Sequence, residues 1–173
     1  IFFDLNDDLR PTPDRAKETL FNWLGQDLSE MYCLDLFSGT GALGLEAFSR
    51  GAKKVTFVEK NKKYLQKIKK VYLEMSKKED CDFFCSECLE WVKNNNAQTK
   101  YDLIFIDPPF NKNLIDNLLT GILEKELLSK GGRIYFEFEK ELNLKIPKSL
   151  NLKKKRNLGR KSYVLTEITC LSS

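Results

Sequence analysis

The chain has 173 residues, of which 42% are hydrophobic and 31% charged, with 29 basic against 25 acidic side chains. That size suits one domain, residues 1–173, around one core; disordered and collagen-like chains are excluded, and no run approaches the roughly 18 apolar residues of a membrane span. The net charge of +4 is compatible with an anionic partner, while the absence of histidine removes Ser-His-Asp and Cys-His catalysis and most catalytic zinc sites.

The chain opens on IFFDLNDDLR, which has neither the basic region nor the long apolar core of a signal peptide, so a cytoplasmic location is expected. It starts at Ile1 without an initiator methionine, which suggests that residues upstream are missing. Thr12-Pro13 then reads as a helix start, Thr capping exposed amides and Pro giving up an N–H that has no partner. Ala16, Leu20, Trp23, Leu24 and Leu28 recur at helical spacing and predict an amphipathic helix to about residue 28.

MYCLDLF is a short apolar strand that stops at SGTGALG, and ALGLEAFSRG continues as a helix capped near Gly51. KVTFVE is a second strand, followed by a helix from Asn61 to Ser76 with Leu65, Ile68, Tyr72 and Met75 on one face. DFFC is a third strand before a helix carrying Leu89, Trp91 and Val92, and YDLIFI is a fourth after a polar loop. Ile115 to Leu128 is helical in pattern, Gly131-Gly132 breaks it, and RIYFEF is a fifth strand. Beyond Pro147 the chain reads as two strands joined by a basic, glycine-containing turn. Alternating strands and helices predict a mostly parallel sheet covered on both faces, with a terminal antiparallel hairpin.

Five cysteines without a secretory signal argue against a disulfide framework, and Cys81, Cys85 and Cys88 lack the spacing of paired metal knuckles, so reduced structural thiols and no metal are expected. Two basic groupings stand out, KNKKYLQKIKK and KKKRNLGRK; each is either a solvated face or a nucleic-acid contact, and the second contains Lys153, Lys154, Lys155 and Arg156.

FSGTGALG places Gly39, Gly41 and Gly44 as G-x-G-x-x-G, with Glu59 at the end of the next strand, about 20 residues on, where an acid can take ribose hydroxyls. An NAD-dependent oxidoreductase and a ligand-free helix cap both satisfy this pattern. Asp35 divides the readings, because an acid four residues before the first glycine is poorly matched to a pyrophosphate and suits a cationic ligand such as S-adenosylmethionine. The alternative for Asp35 is an acid that caps the loop's own amides. Glu87, after the third strand, is placed to accept from the ligand's adenine amino group or to cap a surface helix.

YDLIFI is apolar on both faces of the pleat, as a central parallel strand should be, and Pro108-Pro109 ends it because proline cannot donate to a sheet ladder. Asp107 to Phe110 therefore sit at a carboxyl end, where open α/β sheets bind ligands. An aromatic exocyclic amine is a weak nucleophile that gains from two hydrogen-bond acceptors, here Asp107 and the Pro108 carbonyl. Pro109 stiffens the turn and Phe110 offers a face for an unstacked base, a contact worth roughly 1 to 3 kcal/mol. The alternative for DPPF is a proline turn that only ends a strand.

With these motifs placed, RPTPDRAKETLFNWL, LDLFSGTGALGLEAFSRGA and IFIDPPF together resemble the class I S-adenosylmethionine-dependent methyltransferases, and more narrowly the bacterial family that methylates N2 of a guanine in 16S ribosomal RNA. The resemblance implies a Rossmann-like α/β fold with a seven-stranded sheet, S-adenosylmethionine as cofactor, and 16S RNA, the 30S subunit or an assembly intermediate as partner of a monomeric enzyme. It implies Asp35, Phe37, Gly39, Gly41, Glu59 and Glu87 around the cofactor, Asp107, Pro108, Pro109 and Phe110 at the base, and Arg10, Thr12 and Arg15 near the entrance. The family's target base must leave its stack to reach Asp107. The chain departs from the pattern in two places: Glu87 replaces the usual Asp, and the basic hairpin that precedes RPT is missing, so either the chain is truncated or RNA is gripped elsewhere, for instance by KKKRNLGRK. Adenine-N6 methylation of DNA or RNA, and a catalytically silent RNA-binding or ribosome-assembly factor, remain open at this level.

Overall fold

The computed structural model describes residues 14–76, 80–95, 99–109, 112–142 and 144–169. Its first element, α1 (Asp14–Leu24), buries Ala16, Leu20, Phe21 and Leu24. The helix is shorter than its apolar spacing suggests, because Gly25 turns left-handed (φ 98°) and the Leu28 amide leaves the helical pattern to bond Arg50 O at 3.0 Å. Leu28 is still fully buried, so its place in the apolar series records the core and not the helix.

Strand–helix units follow: β1 (Tyr32–Leu36), α2 (Ala42–Ser49), β2 (Lys54–Val58), α3 (Lys62–Met75), β3 (Cys81–Phe84), α4 (Cys88–Asn94), β4 (Tyr101–Ile106) and α5 (Lys112–Glu124). The chain closes with β5 (Leu128–Glu139), β6 (Leu150–Leu158) and β7 (Lys161–Ile168). Asn61 caps α3 by accepting from the Lys63 amide, and Leu65, Ile68 and Tyr72 face the core. Met75 does not: it is 46% exposed, at the last turn of the helix, where the face runs past the sheet.

The predicted helix from Ile115 to Leu128 begins earlier and stops at Glu124. There Glu126 adopts φ 50°, and the amides of Glu126 and Leu127 return to Leu123 O and Ile122 O, a left-handed helix stop carried by a residue other than glycine. The sheet accordingly resumes at Leu128, and residues 129–132 are taken up in a register shift against β4, where Tyr101 faces Leu128 and Leu103 faces Arg133.

The seven strands run in the order β3-β2-β1-β4-β5-β7-β6, with β3 through β5 parallel and β7 antiparallel to both β5 and β6. Alternation along the strands divides the core in two. Cys33, Val55, Phe57, Phe105 and Tyr135 pack with α1, α2 and α3, while Leu34, Leu36, Ile104, Ile106 and Phe136 pack with α4 and α5. A parallel sheet covered on both faces needs such unbroken apolar strands. The order also reverses between β1 and β4, which are neighbours although two strand–helix units separate them in sequence, and their carboxyl ends open the crevice at which ligands bind in this architecture.

Candidate active site

Two loops meet at the β1/β4 reversal. The first leaves β1 at Phe37 and enters α2 at Gly41, and three of its residues are left-handed: Phe37 (φ 63°), Gly39 (φ 50°) and Gly41 (φ 77°). A phenylalanine in this region carries strain of the kind concentrated at ligand sites, and here surrounding contacts hold it. Ser38 pins the turn, its hydroxyl donating to Asp35 O at 2.8 Å and to Val58 O at 3.2 Å. Gly44 has a separate reason to be glycine. A Cβ there would lie 2.3 Å from Phe57 Cε1 and 2.9 Å from Asp35 Oδ2, so the side-chain-free position lets α2 close onto the sheet.

Two buried acids hold this loop. Asp35, 3% exposed, accepts the Gly44 N–H on Oδ2 at 2.9 Å. Of the two roles open to it, loop capping is therefore realised in the structure: the carboxylate ties β1 to the first turn of α2. Burial pushes its pKa up to about 7 against the opposing pull of the Gly44 amide, and Asp107 and Glu59 add to the rise. Glu59, 8% exposed, accepts the Gly39 N–H on Oε2 and the Asn61 N–H on Oε1, both at 2.8 Å. It thus joins the glycine loop to the end of β2. Glu87 stands at the start of α4, at the end of the adjacent β3; its side chain is exposed, makes no cap bond and lies 3.6 Å from Lys60 Nζ.

The second loop is Asp107-Pro108-Pro109, directly after β4, with Pro108 buried and Pro109 exposed. Asp107 Oδ1 accepts from Lys161 Nζ at 3.0 Å, and the same ammonium donates to Glu137 Oε2 at 2.9 Å. Tyr135 completes the series by donating its hydroxyl to Glu137 Oε1 at 2.9 Å. Burial and the neighbouring Asp107 carboxylate raise the proton affinity of Glu137; for Lys161, the facing carboxylates outweigh burial and hold the proton more firmly than usual. Sequence reasoning missed Tyr135 and Glu137 altogether and saw Lys161 only as one charge of a basic stretch. The readable signal was Glu137 itself, an acid inside the apolar strand RIYFEF, since acids are almost never fully buried unless paired.

Phe110, Arg10 and Thr12 lie outside the described residues. Arg15 is exposed on the first turn of α1. Lys153, Lys154, Lys155 and Arg156 follow one another along β6, the edge strand, and all are exposed. Lys153 pairs with Glu167 at 3.2 Å, and Arg156 donates to the Thr19 hydroxyl of α1 at 3.1 Å. Exposed lysines on an edge also keep it from pairing with another sheet. The other basic grouping forms the solvent face of α3. Cys33, Cys81 and Cys88 have thiols pushed up to about 12 by burial, which makes them poor nucleophiles and poor metal ligands. Among the described residues no cluster of three or more acids, cysteines or histidines is placed to hold a metal ion, and no helix is long and apolar enough to cross a membrane.

Comparison with known proteins agrees with this geometry. Residues 2–167 match the family described as Conserved hypothetical protein 95. The ribosomal RNA small subunit methyltransferase D of Haemophilus influenzae is 40% identical over 91% of this chain and 82% of its own length. The protein of the same name from Escherichia coli is 34% identical over 91% of this chain and 78% of its own. A solved methylase structure from H. influenzae superposes with a TM-score of 0.82 at 38% identity, covering 91% of this chain and 99% of that one. An E. coli methyltransferase structure gives 0.83 at 32% identity, over 92% and 88% of the two chains. The chain therefore belongs to the Conserved hypothetical protein 95 family of methyltransferases, alongside the ribosomal RNA small subunit methyltransferases D.

Proposed function

We propose that the protein transfers a methyl group from S-adenosylmethionine to the exocyclic N2 amine of a guanine in small-subunit ribosomal RNA. The observation that carries this reading is the pairing of β1 with β4, which brings the glycine loop and the Asp107-Pro108-Pro109 turn to adjacent strand ends. The relatives' names supply the substrate class.

The residues of the first loop fit this donor. Two buried acids stand beside a left-handed turn, and such a pair suits a cationic, hydroxyl-bearing ligand better than a pyrophosphate, which argues against the NAD reading. Asp35, with Phe37, Gly39 and Gly41, would hold the methionine end, Glu59 the ribose and Glu87 the adenine. S-adenosylmethionine supplies a methyl group already made electrophilic by its sulfonium. The chain's own work is to hold the base in line with it. Asp107 and the Pro108 carbonyl accept the two N–H bonds of the amine and so orient its lone pair, Pro109 keeps the turn rigid, and Phe110 stacks on the flipped base. Lys153 to Arg156 on β6 meet RNA phosphates, and Arg10, Thr12 and Arg15 belong to the RNA-binding segment expected at the cofactor and RNA entrance. A single-domain monomer in the cytoplasm, acting on 16S RNA or an assembling 30S particle, goes with this reading.

The test is incubation with methyl-labelled cofactor and, in parallel, unmethylated 30S particles, free rRNA and DNA, followed by nucleoside analysis. Label in N2-methylguanosine of small-subunit RNA is expected. Label in N6-methyladenine, or in DNA alone, would replace this reading with the amine methylation of another base. No transfer together with no cofactor binding at millimolar ligand would leave a silent assembly factor.

A further inference from the structure

Asp107 does not stand alone at the end of β4. Among the described residues it is one end of a hydrogen-bonded series that runs inward through Lys161 to Glu137 and Tyr135. The inner acid is fully enclosed, with a side chain 0% exposed, while Lys161 and Asp107 retain 25% and 21%. Three strands position the series: Asp107 directly follows β4, β5 carries Tyr135 and Glu137 two residues apart on one face, and β7 begins at Lys161. The β6–β7 hairpin thereby delivers a lysine to a turn 54 positions upstream.

Enclosing one carboxylate and half-burying a second together with an ammonium is a poor way to gain stability. Desolvating each ion costs several kcal/mol, and well-packed apolar residues of similar volume often serve as well or better. What such a cluster does supply is direction. An ammonium gripped from behind by Glu137 fixes where Asp107 Oδ1 lies, and with it the plane of the carboxylate.

We propose that Lys161, braced by Glu137, is a positioning residue that sets the orientation of the Asp107 carboxylate toward the amine to be methylated. This rests on the reading of Asp107 as the amine's acceptor. A misplacement of about 1 Å at a reacting centre can cost on the order of 100-fold in rate, so the effect belongs in turnover and not in binding.

Lys161→Met, Lys161→Arg, Glu137→Gln and Asp107→Ala are compared in methyl transfer to small-subunit RNA, with cofactor affinity from calorimetry and folding from thermal melting. Lys161→Met should lower kcat by about 10- to 100-fold while changing KM for RNA and cofactor affinity by less than about threefold. Lys161→Arg, which keeps the charge between the two acids, should recover most of that loss. Glu137→Gln, nearly isosteric, should lower kcat by about 3- to 10-fold, and it carries the test if Lys161→Met does not fold. Wild-type or faster turnover in folded Lys161→Met, or in Glu137→Gln where Lys161→Met does not fold, overturns the proposal provided Asp107→Ala is inactive; so does an arginine variant no better than the methionine one. Full turnover in Asp107→Ala is a different failure, since it removes Asp107 from the mechanism and the proposal with it.

Discussion

At the ends of β1 and β2 the acids bind backbone: Asp35 takes the Gly44 amide nine residues on, and Glu59 takes those of Gly39 and Asn61, 20 and two residues away. At the end of β4 the acid binds another side chain, Lys161, 54 residues away across the antiparallel end of the sheet. The proposed cofactor half of the crevice is thus a piece of main chain held in shape by carboxylates, whereas the proposed acceptor half is a side chain held in shape by other side chains. In the first half, a substitution that loses an acid releases the loop as well. In the second, we expect chemistry and folding to be separable.

Glu59→Ala should show the first kind of loss most strongly. It removes the acceptor for two amides and the proposed ribose ligand at once, and we expect cofactor affinity to fall on the order of 100-fold with a loss of about 2 to 3 kcal/mol in stability. Calorimetry and urea unfolding would measure the two, and a variant that lost affinity at full stability would separate functions that the geometry joins. Gly44→Ala forces a methyl group into Phe57 and Asp35, so urea unfolding should reveal a destabilisation of about 1 to 3 kcal/mol. If it is neutral, α2 can move away from the sheet and the loop is less constrained than its contacts imply.

The buried Asp35 makes a prediction about pH. Its pKa is raised to about 7 in the folded state from an ordinary value near 3.8. Between these values the native protein holds a proton that the unfolded chain has released, so stability is greatest below the lower value and falls as pH rises toward the upper one. The slope from one such group is at most about 1.4 kcal/mol per pH unit. Glu137 contributes with the same sign. Asp35→Asn keeps an oxygen for the Gly44 amide and should flatten the decline between pH 5 and 7; an unchanged slope would mean that Asp35 is ionised throughout. The smallest effect is expected farthest from the crevice. Replacing Lys153 to Arg156 with glutamine should weaken RNA binding and reduce the slope of log affinity against log salt by about 1 to 3. An unaltered slope would make β6 a solvated edge.

The same contrast explains what could be read from the residues alone. The glycine loop, Glu59 and the strand stop at Pro108 were legible because each depends on local spacing; the β1/β4 adjacency was not, because alternation of strands and helices implies a parallel sheet without fixing the order of its strands. Leu28 and Met75 misled because apolar periodicity reports burial, and it continues past a helix stop such as Gly25 or runs beyond the edge of the sheet. The stop at Glu126 had no glycine to announce it. The bracing of Asp107 was illegible for a deeper reason. It joins residues on three strands through antiparallel pairing whose register, Glu137 opposite Tyr163 and Glu139 opposite Lys161, depends on where the hairpin turns.

The division between the halves is tested most directly by Asp107→Ala, with methyl transfer and cofactor affinity measured on the same preparation. We expect turnover to fall by more than about 1,000-fold while cofactor affinity stays within about twofold of wild type. Full turnover would contradict the assignment of Asp107 to the amine, and an equal loss of affinity would show that the crevice is one unit and not two.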